Sequence, residues 1–168
     1  MVRVVQCGLR GYARWVVTEG ETVIHVTPNA PWLPNGSRAE VVQRGDPLLP
    51  VCVVRLLLRD AGRVFCVPRQ ETGWLDLPMR VTAGDDLDGA SAIRELADSI
   101  LGPASAVRFI GAVRNVVERP QEGYPWPIPV AHFGVWVSND APIANGAWVK
   151  IDSDEPPPRD RHWYPLVL

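Results

Sequence analysis

Five of the carboxylates in this 168-residue chain fall within a short stretch: Asp85, Asp86, Asp88, Glu95 and Asp98. Ser91, Glu95 and Asp98 recur at helical spacing, which puts two carboxylates three residues apart on adjacent turns of one polar face. Arg94 and Asp98 also make an i, i+4 pair, a common solvated ion pair of surface helices. Glu95 has only Ser99 at i+4, which tilts it toward a ligand role. Asp85 and Asp86 lie where negative charge favours a helix N-terminus. A second feature is the tract Glu122-Gly123-Tyr124-Pro125-Trp126-Pro127-Ile128-Pro129, whose aromatics either clamp surface grooves or stack a nucleobase. His25, His132 and His162 lack zincin or other ligand spacing, so they are read as structural, with His132 packing on its strand. Cys7, Cys52 and Cys66 are odd in number and without CxxC spacing, as expected of free thiols in a reducing compartment.

The elements that must position these groups follow from periodicity. β-branched and aromatic runs predict strands over Arg14–Val17, Thr22–Thr27, Val51–Leu58, Arg63–Val67, Val107–Val117, Val130–Val137 and Ala147–Ile151. Asp60-Ala61-Gly62 predicts a hairpin between two of them, and Thr18-Glu19-Gly20-Glu21 a second turn. Proline crowding makes Pro28–Pro34 an irregular connection or an edge. One long helix is predicted over Asp88–Leu101, where Ala92/Ile93, Leu96/Ala97 and Ile100/Leu101 form an apolar face and Gly102-Pro103 ends it. The chain end after Pro156-Pro157-Pro158 is expected to pack on the core through a short helical turn.

Composition bounds the function classes. The length fits one domain, residues 1–168, and 46% hydrophobic with 21% charged residues is a globular composition. A net charge of −2 supplies no basic field for a phosphate backbone, so no nucleic-acid polymer is expected as partner, while a single nucleotide remains open. No apolar run approaches transmembrane length, and the opening residues lack a signal-peptide core, so no membrane association is expected and the expected compartment is the cytoplasm.

The stretch Val51–Gly102 places a hairpin before Gly73-Trp74-Leu75-Asp76-Leu77-Pro78, an acidic loop, and a helix with Arg94-Glu95-Leu96. This order resembles the Nudix hydrolase family, whose box reads G-x5-E-x7-R-E-U-x-E-E-x-G-U, U being a bulky aliphatic, on a loop–helix–loop. Aligned on Arg94-Glu95-Leu96, Asp86 falls at the box glutamate, Asp98 and Ser99 at the paired glutamates, and Met79-Arg80 at paired glycines preceding the box. Similarity covers roughly Val51 to Asp152. Both glycines are replaced, Glu is reduced to Asp at 98, and the last paired glutamate is Ser99.

The resemblance implies an α+β fold, a Nudix-type mixed β-sheet with packed helices in an α/β/α sandwich. Residues 1–45 would form an N-terminal β extension, residues 51–152 the core and residues 153–168 a tail, with the C-terminal helix shortened by the prolines. It implies a divergent hydrolase of a nucleoside-diphosphate-linked or related pyrophosphate compound. In that reading Glu95 and Asp98 hold Mg2+ or Mn2+, Asp86 orients, Arg94 positions the carboxylates, and Arg80, Tyr124 and Trp126 bind substrate. Arg80 is expected either to bind an anionic ligand or to plug the cleft by pairing with Glu95 or Asp98. The alternative implied by the replacements is a Nudix-fold ligand-binding or protein-interaction module without catalysis. The partner expected is a small nucleotide-like or pyrophosphate molecule, with a homodimer possible.

Overall fold

Period-two and continuous apolar runs build a mixed sheet in the computed structural model, which describes residues 20–154 and 158–168. Among these residues there are nine strands: β1 (Thr22–Pro28), β2 (Arg38–Gln43), β3 (Val51–Asp60), β4 (Arg63–Pro68), β5 (Leu75–Asp76), β6 (Met79–Val81), β7 (Arg108–Val116), β8 (Val130–Ser138) and β9 (Ala147–Lys150). One α-helix, α1, spans Ala90–Leu101. The strand order is β1-β2-β7-β8-β3-β4-β5, with β6 also on β3 and β9 on β4. The β3–β8 pair is parallel; the others are antiparallel. The predicted strand Arg14–Val17 and the first half of the turn before β1 lie outside the described residues.

Strand β3 is central because it is apolar on both faces. Val53 and Leu57 enter one core with Val113, Phe133 and Val135. Val54, Leu56 and Leu58 enter the other with α1, through Ile93, Leu96 and Ile100. Full burial of such side chains contributes about 1.5–3 kcal/mol each, so the helix is held by its stripe rather than by its propensity. The β3–β4 hairpin forms at Asp60-Ala61-Gly62 as expected, with Ala61 at φ 45° and Gly62 at φ 75°, the pair of left-handed residues a tight hairpin turn requires.

One boundary is corrected. The helix begins at Ala90, not Asp88, because Gly89 turns left-handed at φ 75°. A Cβ at Gly89 would come within 2.8 Å of Val54 Cγ1, so this turn needs glycine both for its φ and for its fit on the sheet. Among the described residues α1 covers one face of the sheet, while the loop before β2, the aromatic tract and the 3-10 turn Tyr164–Leu166 pack on the other; a second 3-10 turn spans Pro158–Asp160. The expected packing of the chain end does occur, with Trp163, Leu166 and Val167 buried in the core opposite the helix. Pro28 ends β1 opposite Arg38, and the rest of Pro28–Pro34 lies in the irregular connection to β2.

Strand β2 escaped the sequence reading because its charges point inward. Glu40 is buried, and its carboxylate accepts hydrogen bonds from Arg38 Nε and Arg114 Nε, each at 2.7 Å. Arg114 Nη1 also donates to the buried Glu21 at 2.9 Å, so a paired ionic cluster replaces apolar packing here.

Candidate functional site

The acidic loop and helix supply the first candidate region. Asp86 serves the helix start: Oδ1 accepts from the Ser91 amide at 3.1 Å and Oδ2 from the Ala92 amide at 2.8 Å. The Asp88 carboxylate accepts from the Ala90 amide at 3.0 Å. Both satisfy amides that a helix leaves unpaired at its N-terminus. Replacing Asp86 with alanine should therefore cost about 1–2 kcal/mol of stability; a chemical-denaturation midpoint equal to that of the parent would contradict this.

Glu95 and Asp98 do not share a cleft. Both are exposed, but Glu95 faces β6 and pairs with Arg80 Nη1 at 2.9 Å, whereas Asp98 borders a shallow hollow with Arg94, Ile93 and Trp136. Three residues turn a helix by about 300°, which leaves the side chains roughly 60° apart, and the guanidinium draws Glu95 to its own side. Ser99 Oγ donates back to the Leu96 carbonyl at 2.7 Å. A hard divalent cation needs several converging oxygens. Here both Asp86 oxygens take amides, Glu95 faces a cation, and among the described residues no three His, Cys, Asp or Glu side chains converge. This arrangement does not fit the Mg2+ or Mn2+ site that the resemblance implied.

The second region is a cavity of about 490 Å3 on the opposite face of the sheet. Alternation along β6 separates the two: Met79 pairs opposite Arg55 and lines the cavity, while Arg80 pairs opposite Val54 and projects to the helix side. Arg80 thus does not join Tyr124 and Trp126, which line the cavity together. Trp126 stands edge-on to Phe133 of β8, ring centroids 5.3 Å apart, and Trp32 tilts over His162 at 5.1 Å.

The floor holds a residue that the sequence reading passed over. Arg55 of β3 is 5% exposed, lies over the Phe133 ring at 5.7 Å, and donates through Nη2 to His162 Nε2 at 3.4 Å. Its Nε and Nη1 have no hydrogen-bond partner among the described residues. Burial lowers its pKa to about 10, with Asp76 opposing that shift, so it stays a cation at neutral pH. Its signal was a lone charge inside the apolar run VCVVRLLL.

Beside it, Asp76 of β5 is held by Arg69 Nη2, by Trp163 Nε1 at 2.8 Å and by the Leu77 amide at 2.8 Å. Burial works against the Asp76 charge, but Arg55 and Arg69, with those hydrogen bonds, hold its carboxyl below the usual value. Asn115 and Tyr124 also line this cavity, and Asn115 opposes the rise that burial gives the Tyr124 hydroxyl pKa.

His162 is kept neutral, its pKa lowered to about 3 first by burial and then by Arg55. His132, read as a packing residue, is buried and lies close to the Pro50 carbonyl, Nδ1 at 3.2 Å, and burial lowers its pKa to about 4. Unfolded histidine takes its proton near pH 6.5. The unfolded chain therefore binds more protons below that pH, so stability is full above it and falls as pH drops toward 4, by about 1.4 kcal/mol per pH unit for each histidine. Urea midpoints between pH 7 and pH 4 should show this decline; a flat profile would contradict neutral burial. Comparison with known proteins finds no family profile and no curated protein that matches this chain.

Proposed function

We propose that this chain is a ligand-binding module that holds a small ring-bearing anion, of the nucleotide class, in the cavity floored by Arg55. The observation that carries this reading is the buried guanidinium with two unpartnered donors among aromatic walls. Burying a cation without its hydrogen bonds costs several kcal/mol, and a ligand oxyanion would supply what the protein withholds. The volume falls in the range of small-molecule sites, and Tyr124, Trp126 and Trp32 offer π-faces to a ring. This is the non-catalytic form of the Nudix resemblance, and it leaves the helix carboxylates outside the binding site.

Isothermal titration with adenosine, AMP and a set of aryl carboxylates tests it. Heats of binding are expected for the anions and not for adenosine, with at least a tenfold loss in Trp126→Ala. Equal binding of adenosine and AMP, or no binding by any anion, would sink the reading.

The hydrolase reading keeps one observation in its favour. The Arg80–Glu95 pair is exposed on both sides, at 46% and 61%, so it is weak enough for a cation to displace. Phosphorus NMR of a dinucleoside and nucleotide-sugar pyrophosphate panel with Mn2+ separates the two: product that disappears in Glu95→Gln would establish hydrolysis.

A further inference from the structure

Resting on that binding reading, we propose that the ligand enters anion first. Its one negative group sits at the closed end against Arg55, its ring lies at the mouth against Trp126 and Trp32, and its class is a ring-bearing molecule ending in a single carboxylate or phosphate monoester.

Depth gives the polarity of the cavity. Arg55 at 5%, Asn115 at 3% and Phe133 at 7% exposure form the floor on the sheet face, whereas Trp32 is 44% exposed and Glu122 is exposed at the rim. Among the described residues, Arg55 Nε and Nη1 and Arg69 Nε are buried at this floor without a hydrogen-bond partner, while Ser105 Oγ is the one such atom on the helix side. Charge at the floor is also limited. Arg55 and Arg69 are the two cations that line the cavity, Asp76 behind them offsets one, His162 is neutral, and Arg161, outside the lining, adds to the positive field on Arg55 and His162. A second or third phosphate meets no further cation among the lining residues, and a polyphosphate turned outward would pass the Glu122 carboxylate at the mouth. The floor is thus matched to one oxyanion, and the mouth to an uncharged ring.

Titration of phenyl phosphate, indole-3-carboxylate, AMP, ADP and ATP into the full chain and three variants tests the orientation. Phenyl phosphate against indole-3-carboxylate tells phosphate from carboxylate as the preferred oxyanion. Affinity is expected to fall from AMP to ATP, to drop about 100-fold or more in Arg55→Met for every ligand, and to stay unchanged in Arg80→Gly. Glu122→Lys should narrow the gap between AMP and ATP, and this readout stands even if Arg55→Met fails to fold.

Affinity that rises with phosphate number and falls in Arg80→Gly would overturn the inference while leaving the binding reading intact, because the tail would then cross the β6 edge toward the helix side. Absence of binding by every anion overturns both.

Discussion

Asp76→Asn is expected to lower the unfolding free energy by about 3–5 kcal/mol, the largest stability loss of any single substitution considered for this chain. The carboxylate is 1% exposed and joins three elements: Arg69 after β4, its own strand β5, and Trp163 of the C-terminal turn. Asparagine can still accept from Trp163 and the Leu77 amide through its oxygen. Its other atom becomes a donor facing the Arg69 guanidinium, so two donors meet, and the buried Arg55 and the half-buried Arg69 lose the carboxylate charge beside them. The pH dependence gives a second check. A carboxyl held below its unfolded value contributes stability above about pH 4 and loses it as pH falls further, so this acid limb should be reduced in Asp76→Asn. A guanidinium-denaturation difference under 1 kcal/mol would show that the carboxylate charge is not what ties β5 to the chain end.

Where the sequence could be read, the reason was periodicity or turn chemistry. The α1 stripe, the two-faced apolar run of β3 and the Asp60-Ala61-Gly62 hairpin each follow a spacing that packing enforces. What escaped were elements in which tertiary pairing overrides composition. Glu40 and Arg114 satisfy one another across the β2–β7 ladder, whose register sets Glu40 opposite Arg114, so β2 carries charge where a buried strand would ordinarily be apolar. Strand β6 spans only Met79–Val81, too short for any period to show.

The candidate site divides in the same way. Tyr124 and Trp126 were legible because one rigid loop must carry both to one place, and the structure puts both on the cavity wall. Glu95 and Asp98 were legible as neighbours on a helix, yet helical neighbours do not converge unless something on the next element gathers them, and Arg80 gathers only Glu95. Arg55 carried the strongest signal and the least obvious one. A charge inside a strand buried on both faces is either paired or waiting for a partner, and which of these holds depends on residues as distant as Asp76 and His162.

That distinction makes a second large effect measurable without any ligand. Arg55→Met should raise the unfolding free energy of the free chain by about 1–2 kcal/mol while removing anion binding. Methionine has a similar length, no polar hydrogens to leave unpaired, and enough flexibility to lie against Phe133 where the guanidinium now sits. The losses are one 3.4 Å hydrogen bond to His162, the contact with the ring and the Coulombic support that Arg55 and the Asp76 carboxylate give one another. The gain is the removal of two unpartnered donors and of a desolvated cation, with Asp76 keeping Arg69, Trp163 and the Leu77 amide. His162 provides an internal check: without the cation beside it, its pKa should move up, although burial still holds it below the ordinary histidine value, so the acid limb of the stability profile should level off at a higher pH than in the parent. Thermal and urea unfolding of both proteins at pH 7 and pH 5 would measure the two effects together. A destabilised Arg55→Met would mean that the guanidinium is already satisfied within the protein, and the anion-binding role would lose its physical basis.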